Sequence, residues 1–226
     1  FVSDASHELK TPLASIRLLT DSLLQADHMD GETAREFLND IGDEADRLTR
    51  ITEKLLTLTR LDTAPAAEDV PVDVGAVVER VEHMLSPLAR AVEVSLELKL
   101  QPGCVVLATE DDLYQIAFNL MENAVKYNLP GGRVLVTLTA DGGRVVLRVE
   151  DTGVGIPEAD LPKIFDRFYR VDKARSRAAG GTGLGLSIVR DTVLQHGGAV
   201  TARRREPEGT CFEVSFAQWN GEEVGR

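Results

Sequence analysis

The sequence predicts an α+β multidomain protein: a helical hairpin forming a dimeric four-helix bundle, followed by an α/β domain. Three observations carry this. Apolar residues recur every three to four positions through two long runs that fill residues 1–62. The stretch Thr63-Ala64-Pro65-Ala66-Ala67-Glu68-Asp69-Val70-Pro71 has no period and two prolines, as a linker over residues 63–71 would. Beyond it, helical periods alternate with short β-prone runs bounded by turn residues.

The first helix is expected from Phe1 to about Ala26, with Val2, Leu9, Leu13, Ile16 and Leu23 as a narrow buried seam. His7 lies off that seam, with Lys10 and Thr11 one turn on and Asp4 one turn back. Pro12 cannot donate to the carbonyl of Glu8, so a bend is expected beside the histidine. Asp27-His28-Met29-Asp30-Gly31 breaks the pattern, and a second helix should run from Glu32 to Leu61, about 45 Å at 1.5 Å per residue. A lone hairpin cannot cover both apolar stripes, so residues 1–62 should build a homodimer.

After the linker, whose reach is at most ~30 Å, a short strand is expected near Val72. Then come a helix Val74–Arg90, strands Val92–Leu100 and Val105–Ala108, and a helix Asp111–Tyr127. Strands Arg133–Thr139 and Arg144–Glu150 should join through Asp141-Gly142-Gly143. A long irregular stretch from Asp151 to Gly183 exceeds an ordinary connection and reads as functional. A helix Gly185–Gln195 and a hairpin of Val200–Arg205 with Cys211–Phe216 close residues 72–218, leaving Trp219–Arg226 as a frayed tail.

Lys and Arg number 25 against 37 Asp and Glu, a net charge of -12, which excludes nucleic acid or an anionic membrane as a general partner. No apolar run approaches the roughly 18 to 20 residues of a membrane helix, so no membrane contact is expected of this portion. Cys104 and Cys211 sit singly in apolar runs and read as buried, reduced thiols. The chain lacks an initiator Met and opens inside a helical pattern, as a portion of a longer protein would.

Four clusters follow the linker. Asn119, Asn123 and Lys126 share one polar helix face, where amide oxygens beside an ammonium suit magnesium and phosphate oxygens, or else a solvated face. Asp151-Thr152-Gly153-Val154-Gly155 leaves a strand, where a carboxylate can accept from an exocyclic amine such as that of adenine. From Lys163 to Arg177, six cations including Arg170 face two carboxylates, a local net charge of +4 that could hold a polyanion. Phe165 and Phe168 would anchor that loop to the core. Gly181-Thr182-Gly183-Leu184-Gly185 opens a helix, as phosphate cradles do, but Leu186 stands where a P-loop has Lys.

His7-Glu8-Leu9-Lys10-Thr11-Pro12-Leu13 resembles the phosphoacceptor box of sensor histidine kinases at every position. The four clusters, in this order, resemble the Bergerat-type ATP-binding domain of the same family, so the likeness spans Phe1 to about Phe216. That resemblance implies an α/β sandwich with a mixed sheet and helices on one face, ATP and magnesium as cofactors, and His7 as phosphoacceptor. It implies Asn123 as magnesium ligand, Asn119, Lys126 and Tyr127 around the phosphates, and Asp151 on adenine beside Gly153, Gly155 and Ile156. Phe165, Phe168, Arg170, Gly181, Thr182, Gly183, Leu184 and Gly185 then belong to the nucleotide lid. The resemblance also implies a response-regulator partner, phosphorylated on an aspartate, and a cytoplasmic position in a protein anchored in a bacterial membrane. Glu8, adjacent to His7, would accept its proton as general base. Thr11 matches the pattern that supports the reverse, phosphatase activity. Two rivals stay open: a chaperone- or topoisomerase-like ATPase using Glu122 to activate water, and a non-catalytic dimeric scaffold.

Overall fold

The computed structural model describes residues 2–26, 28, 30–63, 68–172 and 181–221. Phe1, Asp27, Met29 and Arg177, named above, lie outside them, as do the cations Lys173 and Arg175, residues 64–67 of the linker and 222–226 of the tail.

Helices α1 (Val2–Gln25) and α2 (Gly31–Thr63) form the expected hairpin. The α1 helix continues through Pro12 without a break. The Thr11 hydroxyl donates to the His7 carbonyl at 3.3 Å, adding a bond in the turn that Pro12 cannot fully close. Asp30 starts α2 by accepting at Oδ1 from the backbone N–H groups of Glu32 and Thr33, at 3.0 and 2.9 Å. Along α2, Ile51 and Leu58 are fully buried, yet within one chain Leu13, Leu18, Leu24 and Leu38 remain 53, 68, 79 and 60% exposed. The hairpin thus leaves a large part of its apolar surface uncovered.

β1 (Val70–Asp73) begins inside the stretch read as linker and pairs antiparallel with β3 (Val105–Ala108). Between them, α3 (Val74–Ala91) is capped by Asp73, whose carboxylate accepts from Gly75 N at 2.9 Å. β2 starts only at Ser95 (Ser95–Leu100), because Val92 closes α3 by bonding back to Leu88 O and Glu93 turns the chain at φ +57°. α4 (Glu110–Lys126) is capped by Thr109 and opens with three acids, as a helix N-terminus favours. β4 (Arg133–Asp141) and β5 (Arg144–Asp151) follow, then a one-turn 3₁₀ helix, Leu161–Lys163, in the long loop. The chain continues with α5 (Gly185–Gln195), β6 (Ala199–Arg204) and β7 (Thr210–Ala217).

The main sheet runs β2-β4-β5-β7-β6, with β2 parallel to β4 and all other pairs antiparallel. Strict alternation turns Val134, Val136, Leu138, Val145, Leu147, Val149, Val214 and Phe216 inward, where α3, α4 and α5 cover them with Val78, Val81, Ile116, Leu120 and Val189. Cys104 and Cys211 are free and buried, as expected. The frayed tail is corrected at its start: Gln218 N donates to Gly143 O and Trp219 N to Val105 O, both at 2.8 Å, tying both sheets together. Among the described residues, no helix is long and apolar enough to cross a membrane.

Candidate nucleotide site and its contact with the hairpin

A cavity of about 390 Å³ opens between the C-terminal half of α4, the exit of β5, the loop after it and the start of α5. Such a volume suits a bound cofactor. Asp151 lies at one part of the wall with Gly155, Ile156, Thr210 and Phe212. Its Oδ1 accepts from Gly153 N at 2.8 Å and from Thr210 N at 3.2 Å, and its Oδ2 takes no bond from the described residues. Burial pushes the carboxyl above its ordinary range, and the two backbone donors pull it partly back. Such an acceptor, held in place at one oxygen and available at the other, fits an exocyclic amine.

At another part of the wall, Asn123, Lys126 and Tyr127 line the cavity as the sequence predicts, with Glu122 paired to Lys126 at 2.9 Å. Asn119 does not line it. Its Nδ2 donates to Gln115 O at 2.8 Å, and its Oδ1 stands 2.9 Å from where a Cβ on Gly185 would fall, so Asn119 supports the start of α5 from behind. Gly181, Thr182, Gly183 and Gly185 border the cavity, offering backbone N–H groups at a helix start. Gly183 adopts φ +73°, and a Cβ there would meet the Phe168 backbone at 2.8 Å, so both conformation and space require glycine.

Phe165 meets Phe212 edge-on at 6.4 Å and anchors the loop to the sheet core. Phe168 corrects the expectation: it packs with Leu184 and Ile188 against Leu58 of α2, with Leu55 and Leu61 beside them. Phe168 and Leu184 therefore hold the α/β part to the hairpin rather than line the cavity. Charges flank this seam. Arg167 grips Asp62 of α2 at 3.0 and 3.1 Å and Asp191 of α5 at 2.9 Å, and those carboxylates raise its already high pKa. Arg170, a cavity residue with its side chain only 3% exposed, donates to Glu8 of α1, and Arg47 of α2 approaches the same carboxylate at 3.5 Å. His7 itself is exposed. A single guanidinium thus runs from the cavity to the residue after the histidine.

Sequence reasoning missed several residues here. Gly209 accommodates the Asp151 carbonyl, which a Cβ there would approach to 1.9 Å, and nothing in its neighbourhood signals this. Arg47, Lys54 and Asp62 occupy polar positions of α2 that periodicity assigns to solvent.

The architecture defines a two-part protein: a helical hairpin with an exposed histidine, and an α/β part with a glycine-walled pocket whose Arg170 reaches the residue after that histidine. Residues 108–219 match the family profile described as histidine kinase-, DNA gyrase B-, and HSP90-like ATPase, and residues 1–64 match the His Kinase A (phospho-acceptor) domain. The chain is 36% identical over 97% of its length to the sensor-like histidine kinase SenX3 of Mycolicibacterium smegmatis, covering 57% of that protein. It is 35% identical over 96% of its length to the sensor protein kinase WalK of Staphylococcus saprophyticus, covering 36% of it. Among solved structures, the mycobacterial sensor histidine kinase MprB is 32% identical at a TM-score of 0.57, over 66% of this chain and 97% of that one. Full-length ShkA, in complex with AMPPNP, is 31% identical at a TM-score of 0.70, over 96% of this chain and 46% of that one. The chain belongs to the sensor histidine kinase family of two-component systems. It spans about half the length of the curated relatives it matches.

Proposed function

We propose that this chain is the catalytic portion of a sensor kinase that binds ATP in the cavity, phosphorylates His7 and passes the phosphoryl group to an aspartate of a response regulator. The observation that carries this reading is Arg170, which lines the cavity and holds the carboxylate next to His7. In the transfer, an imidazole nitrogen forms a bond to the γ-phosphorus, the bond from that phosphorus to the β,γ-bridging oxygen breaks, and ADP leaves. The proton on the other ring nitrogen passes to Glu8. In the arrangement seen, the guanidiniums of Arg170 and Arg47 occupy Glu8, whereas the transfer needs one of its oxygens to reach the imidazole. The α/β part must therefore let go of Glu8 before transfer.

Magnesium fits the donor set: Asn123 brings a neutral oxygen ligand to the wall where Glu122 and Lys126 neutralise each other. Bound there, the ion would offset triphosphate charge, with Asn123 as its protein ligand. Asp151 reads adenine, while Lys126, Tyr127 and the backbone of residues 181–185 hold phosphates. The exposed leucines of α1 and α2 face a second copy, making residues 1–62 a homodimer. Thr11, bonded to the His7 carbonyl, supports dephosphorylation of the regulator. The parent protein is anchored in a bacterial membrane with this portion in the cytoplasm.

The test is incubation with γ-labelled ATP and magnesium. Acid-labile, alkali-stable label on the wild-type chain, lost in His7→Gln and strongly reduced in Glu8→Gln, is the expected result. Free phosphate with no protein label would replace the kinase reading with an ATPase.

A further inference from the structure

Lys54 sits on α2, yet its side chain reaches the wall of the cavity in the α/β part. Its Nζ lies 3.9 Å from where a Cβ on Gly185 would fall, at the N-terminus of the 11-residue α5. The ammonium makes no hydrogen bond or ion pair with the described residues. The carboxylate that favours its charge, Glu122, is already held by Lys126 at 2.9 Å. Burial lowers the Lys54 pKa, with Lys126 and Arg50 adding repulsion and Glu122 opposing. This part of the cavity therefore gathers two ammoniums and a helix start against one carboxylate. A half-buried cation that no carboxylate contacts among the described residues costs free energy that an anionic ligand recovers.

We propose that Lys54, carried by the dimerisation hairpin, binds a nucleotide phosphate in the docked arrangement, so that the nucleotide is held jointly by both parts of the chain. The inference rests on the nucleotide reading of the cavity. It makes phosphate binding and docking reciprocal: an anion that contacts Lys54 is bound more tightly when α2 is docked, and it stabilises docking by the same factor.

The experiment titrates ADP with magnesium, and separately adenosine, into the wild-type chain, Lys54→Met and Lys54→Arg. Methionine keeps the buried stem and removes the charge. ADP affinity should fall on the order of tenfold in Lys54→Met, recover largely in Lys54→Arg, and leave adenosine affinity unchanged. Spin labels at Asn39→Cys and Glu158→Cys, both exposed positions, should show ADP raising the docked population in the wild type but not in Lys54→Met. Unchanged ADP affinity in Lys54→Met overturns the proposal, as does an equal loss for ADP and adenosine. A wild-type chain that binds neither ligand would instead overturn the nucleotide reading itself.

Discussion

Replacing Asp151 by Asn separates recognition from folding at the base of the cavity. The amide is nearly isosteric, and its oxygen can keep the bonds from Gly153 N at 2.8 Å and Thr210 N at 3.2 Å. What changes is the second atom, an acceptor in Asp and a donor in Asn, which would then oppose the adenine amine. Losing a hydrogen bond to a charged acceptor is worth about 1.5–3 kcal/mol, or about 10- to 150-fold in affinity. Stability should move the other way. Burial raises the Asp151 pKa in the folded chain, so its ionised form is held less well folded than unfolded. Its contribution is most favourable below the unfolded value near 3.9 and is lost as pH rises through the folded one. At neutral pH, Asp151→Asn should therefore melt at the same temperature as wild type or higher while ATP affinity drops by that factor. Calorimetric titration with ATP beside a thermal scan without nucleotide measures both. GTP, with a carbonyl where adenine has its amine, should compete relatively better. An Asn variant binding ATP at wild-type affinity, or losing fold and affinity together, would refute the assignment.

Two other predictions follow from the seam and from α5. Leu58→Ala removes a fully buried side chain between α2 and α5, a change of about 2–5 kcal/mol in a fixed core. Because these parts can separate, the loss should appear as undocking, read as a longer spin-label distance between Asn39→Cys and Glu158→Cys with the α/β melting transition unmoved. An unaltered distance distribution would mean that the charges alone hold the seam. His196 lies 2.9 Å from both Asp112 of α4 and Asp69, ahead of β1. Asp112 chiefly, with Asp69, raises its pKa against the effect of burial. Its stabilisation is thus full below the unfolded value near 6.5 and fades as pH climbs through the folded one. Unfolding free energies from denaturant melts should fall over that window at a slope of at most about 1.4 kcal/mol per pH unit, and His196→Gln should flatten the curve. A parallel curve in the variant would exclude His196 as the source.

What could be read in advance was whatever rests on local period and turn chemistry. Gly142 and Gly143 take the positive φ angles their hairpin position demands, at +56° and +76°. Asp151 and Asn123 reach the cavity because a strand exit and a helix face place them there. Phe168 was legible as an anchor but not in its destination, since an aromatic in a loop gives no direction. Lys54 and Asp62 were opaque for a related reason. On an amphipathic helix a polar position reads as solvent until a second body is known to lie against it, and that body is α5, more than 100 residues further along the chain.

The seam itself explains why such a contact can serve a moving part. Its fully buried apolar side chains are Leu58, Leu184 and Ile188, a cluster separate from the continuous core of the sheet and its helices. Opening it therefore leaves that core intact. The Arg167–Asp62 pair is half exposed on the Asp62 side, where ion pairs are typically worth at most about 1 kcal/mol. The Arg170–Glu8 pair is far better shielded, at 3% and 25% exposure, and one end of it faces the cavity. An anion entering that cavity and the Glu8 carboxylate thus draw on one guanidinium.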